Sequence, residues 1–280
     1  MPMKLHLLLP ALLLLATACN RNEPAPAAPA GDAAATASQA PAAAPAAPAV
    51  DPAAREAITR ILAAAETAPP PVAGTDYVEI PGGQPFEPLN GKIEIVEAFG
   101  YTCPHCANFQ PLVNAWKEQL PPDVRFTYVA APFGGYWVPY AKAYYTAEAL
   151  GLLDRTHDAV FQAIHLERTL PVQPLPSDAQ IAAFYARYGA DPKQFAETMS
   201  SFAINAKLNR ARQFLQRTGV EGTPTLIING KYRVTARTLE DSVRIATQLV
   251  ALERAAAGAS PAAPVAEPPA PEAAPPASGQ

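Results

Sequence analysis

Short apolar runs and amphipathic stretches alternate through the middle of this chain. Ile93 to Phe99 reads Ile-Glu-Ile-Val-Glu-Ala-Phe, which predicts a buried strand. Tyr77 to Ile80 predicts an earlier strand, a Pro/Gly turn separates the two, and Val124 to Ala131 predicts a third. Between the second and third, Ala107 to Leu120 carries Phe109, Leu112, Val113 and Trp116 at helical spacing. A helix in that place acts as a crossover, so the third strand runs parallel to the second.

After the third strand the pattern becomes helical. Tyr140 to Leu153 and Thr156 to Leu166 repeat apolar residues at helical spacing. Ser177-x-x-Gln180 is a capping-box start, followed by Ile181, Phe184 and Tyr188, with Gly189 as the stop. Asp191-Pro192 opens another helix, and a longer one from about Ser201 to Thr218 ends at Gly219. Thr225 to Ile228 and Tyr232 to Val234 then flank Asn229-Gly230, a hairpin signal. Thr238 to Arg254 closes the region as a helix with Thr238-x-x-Asp241 at its start. Upstream, Pro52 to Thr67 puts Ile58, Ile61, Leu62 and Ala65 on one face; that helix either packs on the domain or lengthens what precedes it.

Composition sets the flanks apart. The chain has 280 residues and 33 prolines, most of which fall outside the middle. Residues 19–53 are almost all Ala and Pro, a composition that cannot bury a core and reads as an extended tether. Residues 257–280 repeat it and read as a disordered tail. The folded domain is expected over 75–256, long enough for one core. The net charge of −4, with no basic patch, excludes a case for nucleic-acid binding.

Residues 1–18 have the form of a signal peptide: Lys4, the apolar Leu5 to Leu15, then Ala16-Thr17-Ala18. The apolar run is too short to span a bilayer. The residue after it is Cys19. Leu-x-x-x-Cys resembles a bacterial lipoprotein signal, which implies lipid attachment at Cys19 and an acyl anchor in a membrane. Ala16 departs from the larger aliphatic preferred there. A plain signal-peptidase cut would leave a lone thiol in an oxidising compartment.

The chemistry centres on Cys103-Pro104-His105-Cys106, at the junction of the second strand and the helix after it. Backbone N–H groups and the helix dipole stabilise a thiolate at Cys103, and Pro104 suits a first helical turn. Such sites lower a thiol pKa from near 8.5 to roughly 3.5–7.5, and three units correspond to about 4 kcal/mol. His105 can donate a hydrogen bond or a charge in the same direction. A stabilised thiolate makes the disulfide easier to reduce. Cys-x-x-Cys can also be half a zinc site, but only Cys19 remains as a further cysteine. A c-type haem site would need His where Ala107 stands. A structural disulfide in so small a loop is a poor staple. The expected site therefore holds neither metal nor cofactor.

Cys-Pro-His-Cys after an apolar strand resembles the DsbA family of thiol–disulfide oxidoreductases. The element order resembles its architecture, an α/β thioredoxin-like fold with an inserted all-helical domain, here about 137–218. The resemblance implies a periplasmic enzyme that introduces disulfides into reduced exported proteins and is reoxidised by a DsbB-like membrane quinone reductase. It places Pro224 as a cis-proline facing the cysteines, and Thr223 beside it as a backbone partner for an extended substrate. Thr223 departs from the apolar residue common before this proline in the family and resembles the disulfide isomerases. Glu97 matches the family's buried acid beneath the second cysteine, able to exchange a proton with Cys106; read from the residues alone, it is equally a surface glutamate at a strand end. The lysine that accompanies this acid in the family is absent from Phe126 to Ala131. Phe133, Tyr136 and Trp137 are candidates for a substrate groove, whereas His157 and His165 read as core or solvated residues. Alternatives are an isomerase or reductase of the same fold, and a chaperone-like peptide-binding lipoprotein in which the cysteines are incidental.

Overall fold

The computed structural model describes residues 49–258. The signal segment, Cys19, most of the Ala/Pro-rich stretch after it and residues 259–280 lie outside the described residues.

Five strands form one sheet: β1 (Tyr77–Glu79), β2 (Ile93–Phe99), β3 (Val124–Ala130), β4 (Thr225–Ile228) and β5 (Tyr232–Val234), in the order β1-β5-β4-β2-β3. β2 and β3 run parallel, joined through α2 (Pro104–Glu118), and β4 and β5 pair antiparallel with their neighbours. Every residue of β2 is buried, which explains its mainly apolar run; Glu94 and Glu97 are the two exceptions in character. The Asn229-Gly230 turn has positive φ at both central residues, 50° and 67°, the backbone a tight hairpin of this hand requires.

Alternation along β2 sorts the core into two clusters. Ile93 and Ile95 pack with α2, with α1 (Pro52–Thr67) and with the closing helix α8 (Leu239–Ala256). Val96 and Ala98 pack toward the helical insert, α3 (Trp137–Ala149), α4 (Leu153–His165), α5 (Asp178–Ala186), α6 (Pro192–Met199) and α7 (Phe202–Arg217). Glu97 shares the face of Ile95 and therefore points toward α2 rather than to solvent.

The capping signals hold at atomic detail. Ser177 and Gln180 form a reciprocal capping box, and Asp191, Ser201 and Thr238 each cap the helix that follows. α3 and α4 begin about three residues before the apolar periodicity suggests. Their N-caps, Tyr136 and Leu152, make no side-chain cap bond, so the sequence carries no start signal there. α1 does not extend the tether: Ile58 is fully buried, and Arg55 makes paired bonds to Glu118 at 2.9 and 3.0 Å. The folded body accordingly starts at the N-cap Asp51, ahead of residue 75.

Glu94 is a second buried acid on β2. It accepts the amides of Phe86 (2.7 Å) and Glu87 (3.1 Å) and pairs with Arg125 at 2.8 Å, pinning the 83–88 loop to the sheet. Satisfied on several sides, it is a structural group.

Candidate active site

Cys103 is the N-cap of α2, held in extended backbone (φ −87°, ψ 116°), with Pro104 in the first turn. Its Sγ accepts the Cys106 amide at 3.4 Å, and its thiol donates to the Thr223 carbonyl at 3.3 Å. The Thr223–Pro224 peptide is cis, and the contact of the Thr223 carbonyl with Cys103 places this segment against the redox pair. Cys106 is fully buried; Pro104 and His105 are exposed at the rim. Both cysteines stand as free thiols.

These surroundings treat the two sulfurs oppositely. Hydrogen bonding from Cys106 is the largest influence on Cys103 and lowers its pKa to about 5; Thr223 and the amides of Cys106 and His105 add to this against burial. His105 thus acts on the thiolate through its backbone N–H. Burial drives Cys106 far upward, reinforced by its bond to Cys103 and by the charge of Glu97. One cysteine is built to be a thiolate and the other a thiol.

Glu97 is 1% exposed, which excludes the surface reading of this residue. Burial raises its pKa to about 8, the Lys117 charge opposes that rise, and the Cys103 thiolate adds to it. One carboxylate oxygen has no hydrogen-bond partner. Lys117 was not foreseen: the lysine missing from β3 is supplied by the last turn of α2. Its ammonium lies 4.8 Å from the Tyr128 ring, and Tyr128 is the register partner of Glu97 across β2 and β3. The signal was present as Gln110, Asn114 and Lys117 at helical spacing, a polar stripe beside the apolar face of α2. Gln110 and Asn114 both donate to Asp158 on α4, at 3.0 and 2.7 Å.

The two histidines set aside from the sequence brace the loop before Cys103. The Tyr101 hydroxyl bonds His157 Nδ1 at 2.9 Å, and His165 Nε2 bonds the Tyr101 carbonyl at 2.7 Å. His157 is enclosed by Phe99, Tyr101, Tyr128 and Phe161, and burial pushes its pKa to about 3, so it is neutral. On the far side of the same loop, Trp137 packs against Gly100 so closely that a Cβ there would overlap the indole ring. Phe133 and Tyr136 flank that ring and are themselves exposed.

This arrangement matches known proteins. A thioredoxin family model covers residues 89–246. The thiol:disulfide interchange protein DsbA of Pseudomonas aeruginosa PAO1 is 38% identical over 204 residues, spanning 72% of this chain and 94% of that protein. Its counterpart in Pseudomonas syringae pv. tomato is 37% identical over 70% of this chain and 91% of its own. The chain belongs to the DsbA family. It is a thiol:disulfide oxidoreductase with Cys103–Cys106 as its Cys-x-x-Cys pair. Among solved structures, the oxidoreductase DsbA from Xylella fastidiosa is 48% identical, with a TM-score of 0.65, covering 66% of this chain and 98% of that one. DsbA from Pseudomonas aeruginosa aligns at a TM-score of 0.62, over 68% of this chain and 97% of its own. The expected α/β thioredoxin-like fold with a helical insertion is the DsbA architecture, and it is the one present.

Proposed function

We propose that this enzyme runs as an oxidase, introducing disulfides into reduced exported proteins in the periplasm. The observation that carries this reading is the opposed pair: a thiolate-favouring Cys103 beside a thiol-favouring, buried Cys106. A client thiolate attacks Cys103 Sγ of the oxidised pair. A client–Cys103 disulfide forms, the Cys103–Cys106 bond breaks, and the electron pair stays on Cys106. Glu97, protonated at neutral pH, supplies the proton that the buried sulfur requires. A second client thiolate then attacks the client sulfur and expels Cys103, a good leaving group because its thiolate is stabilised. The client leaves oxidised and the enzyme leaves reduced by two electrons. Reoxidation by a DsbB-like membrane quinone reductase reverses these roles, with Glu97 taking the proton from Cys106.

Thr223 and Pro224 serve the bound client. When Cys103 is protonated its thiol donates to the Thr223 carbonyl. Neither the thiolate nor the mixed disulfide carries that hydrogen, so in both the carbonyl is free for the backbone of an extended client strand. Pro104 and His105 form the exposed lip around the reacting sulfur, and Phe133, Tyr136 and Trp137 give apolar contact beside it. Residues 1–18 act as the signal, Cys19 as the lipid-attachment residue, and the Ala/Pro-rich chain ahead of the folded body as a tether to the membrane. Among the described residues no helix is long and apolar enough to cross a bilayer, so in this reading the anchor is acyl.

An isomerase or reductase of the same fold is the second reading, favoured by threonine before Pro224. Trapping tests the mechanism. Cys106→Ser should accumulate disulfide-linked complexes with reduced, unfolded clients through Cys103, and Cys103→Ser should form none. Complexes that persist without Cys103 would overturn the assignment of the attacked sulfur.

A further inference from the structure

His157, Phe161 and His165 follow one another at four-residue spacing and form one stripe along α4. All three meet Tyr101, two residues before Cys103. The Tyr101 hydroxyl bonds His157 Nδ1 at 2.9 Å, and its ring meets Phe161 edge-on at 5.1 Å. Its carbonyl bonds His165 Nε2 at 2.7 Å. A carbonyl only accepts, so His165 carries a hydrogen on Nε2 and donates it. Ring, hydroxyl and backbone of one buried residue are thus all held by one helix.

Tyr101 lies in a tight turn. The Cys103 amide donates back to the Gly100 carbonyl at 3.0 Å, which puts Tyr101 and Thr102 at the two central positions. The Tyr101 carbonyl belongs to the peptide between them, the unit that swings when a turn changes type. The turn ends on Cys103, whose Sγ accepts the Cys106 amide at 3.4 Å. Trp137 of α3 fills the space over Gly100, so both holds on the turn come from the helical insert.

We propose that His165 is a positioning residue for disulfide exchange: by fixing the central peptide of this turn it holds Cys103 Sγ in its reactive pose. The helical insert thereby governs the reactivity of a sulfur that stands outside it. Releasing the Tyr101 carbonyl lets the turn swing and misaligns Sγ from the amides that stabilise its thiolate. The role rests on Cys103 as the sulfur that clients attack.

Gln and Asn variants separate this bond from simple packing. A glutamine amide reaches about as far as His Nε2 and can donate, whereas asparagine stops short at the depth of Nδ1. In the reduced chain, Cys103 alkylation by iodoacetamide is followed against pH by mass spectrometry; its midpoint reports thiolate stability, not access. Oxidation of a dithiol model peptide by the oxidised chain gives the rate. His165→Ala should move the midpoint alkaline and slow oxidation by up to about tenfold, the scale of one hydrogen bond. His165→Gln should restore both, and His165→Asn should not. If the alanine variant does not fold, the contrast between Gln and Asn decides alone. An unchanged midpoint or rate in His165→Ala, or Gln and Asn variants that behave alike, would overturn the role. Failure of Cys103 as the attacked sulfur would show instead in the Cys106→Ser and Cys103→Ser trapping, where His165 is intact.

Discussion

The account rests on how one helix start divides two sulfurs that are three residues apart. Cys103 is held at an N-cap among donors, whereas Cys106 is one turn deeper beside a buried acid. These environments carry a pH signature. In the oxidised enzyme the pair does not titrate, and above about pH 6.5, where His157 is neutral both folded and unfolded, Glu97 dominates. Its pKa is about 8 folded against 4.5 in the free side chain, so the folded state binds the proton more tightly. The contribution of Glu97 to stability is full below about 4.5 and falls as pH rises toward 8. In the reduced enzyme Cys103 acts in the opposite sense: about 5 folded against 9.0 free, so its stabilisation grows from pH 5 to 9 and disappears below 5. Urea midpoints of the two redox forms should therefore diverge in favour of the reduced form across that window. Glu97→Gln should flatten the oxidised curve between about pH 6.5 and 8. A midpoint difference that does not change with pH would contradict the Cys103 assignment, and an oxidised curve left unchanged by Glu97→Gln would contradict that of Glu97.

Lys117 acts on the same acid at a distance. Its charge opposes the upward shift of Glu97, so Lys117→Met should move the Glu97 titration further alkaline. The pH profile of mixed-disulfide resolution should shift alkaline with it, and Lys117→Arg should restore the profile. An unshifted profile would leave Lys117 a packing residue. At this scale the motif itself was legible, because Cys-x-x-Cys at a strand–helix junction is a local signal. Lys117, His157 and His165 were not. Their roles depend on α2 and α4 packing together, and no local window contains that contact.

Elements with strong period or explicit caps were readable almost to the residue. β2 shows this through its apolar run, and α5 through its capping box. The docking of α1 was not readable, since an amphipathic face says that a helix packs and not on what. Its partners α2 and α8 lie far along the chain, and Ile58 is the fully buried contact. Ile58→Ala should cost about 2–5 kcal/mol in a urea titration if α1 is part of the body. A loss near zero would show α1 to be an appendage. The helical insert was legible as helices, but its arrangement around Phe99, Tyr101 and Phe161 comes from aromatic packing across elements that pattern alone does not pair.

At the scale of the molecule, the body is a DsbA-family domain that begins at Asp51, preceded by Ala/Pro-rich chain. The direction in which it moves electrons is set by the relative stability of its dithiol and disulfide. A stabilised Cys103 thiolate lowers the free energy of the reduced enzyme, and for this two-electron couple about 1.4 kcal/mol corresponds to roughly 30 mV. The most direct test is the redox equilibrium of Cys103–Cys106, in the chain from residue 20, against glutathione buffers of graded ratio at pH 7. The account predicts a pair that stays reduced until the buffer is strongly oxidising, as a disulfide donor must. A pair already oxidised in reducing buffer would mean that the thiolate is not stabilised, and the oxidase reading would be contradicted.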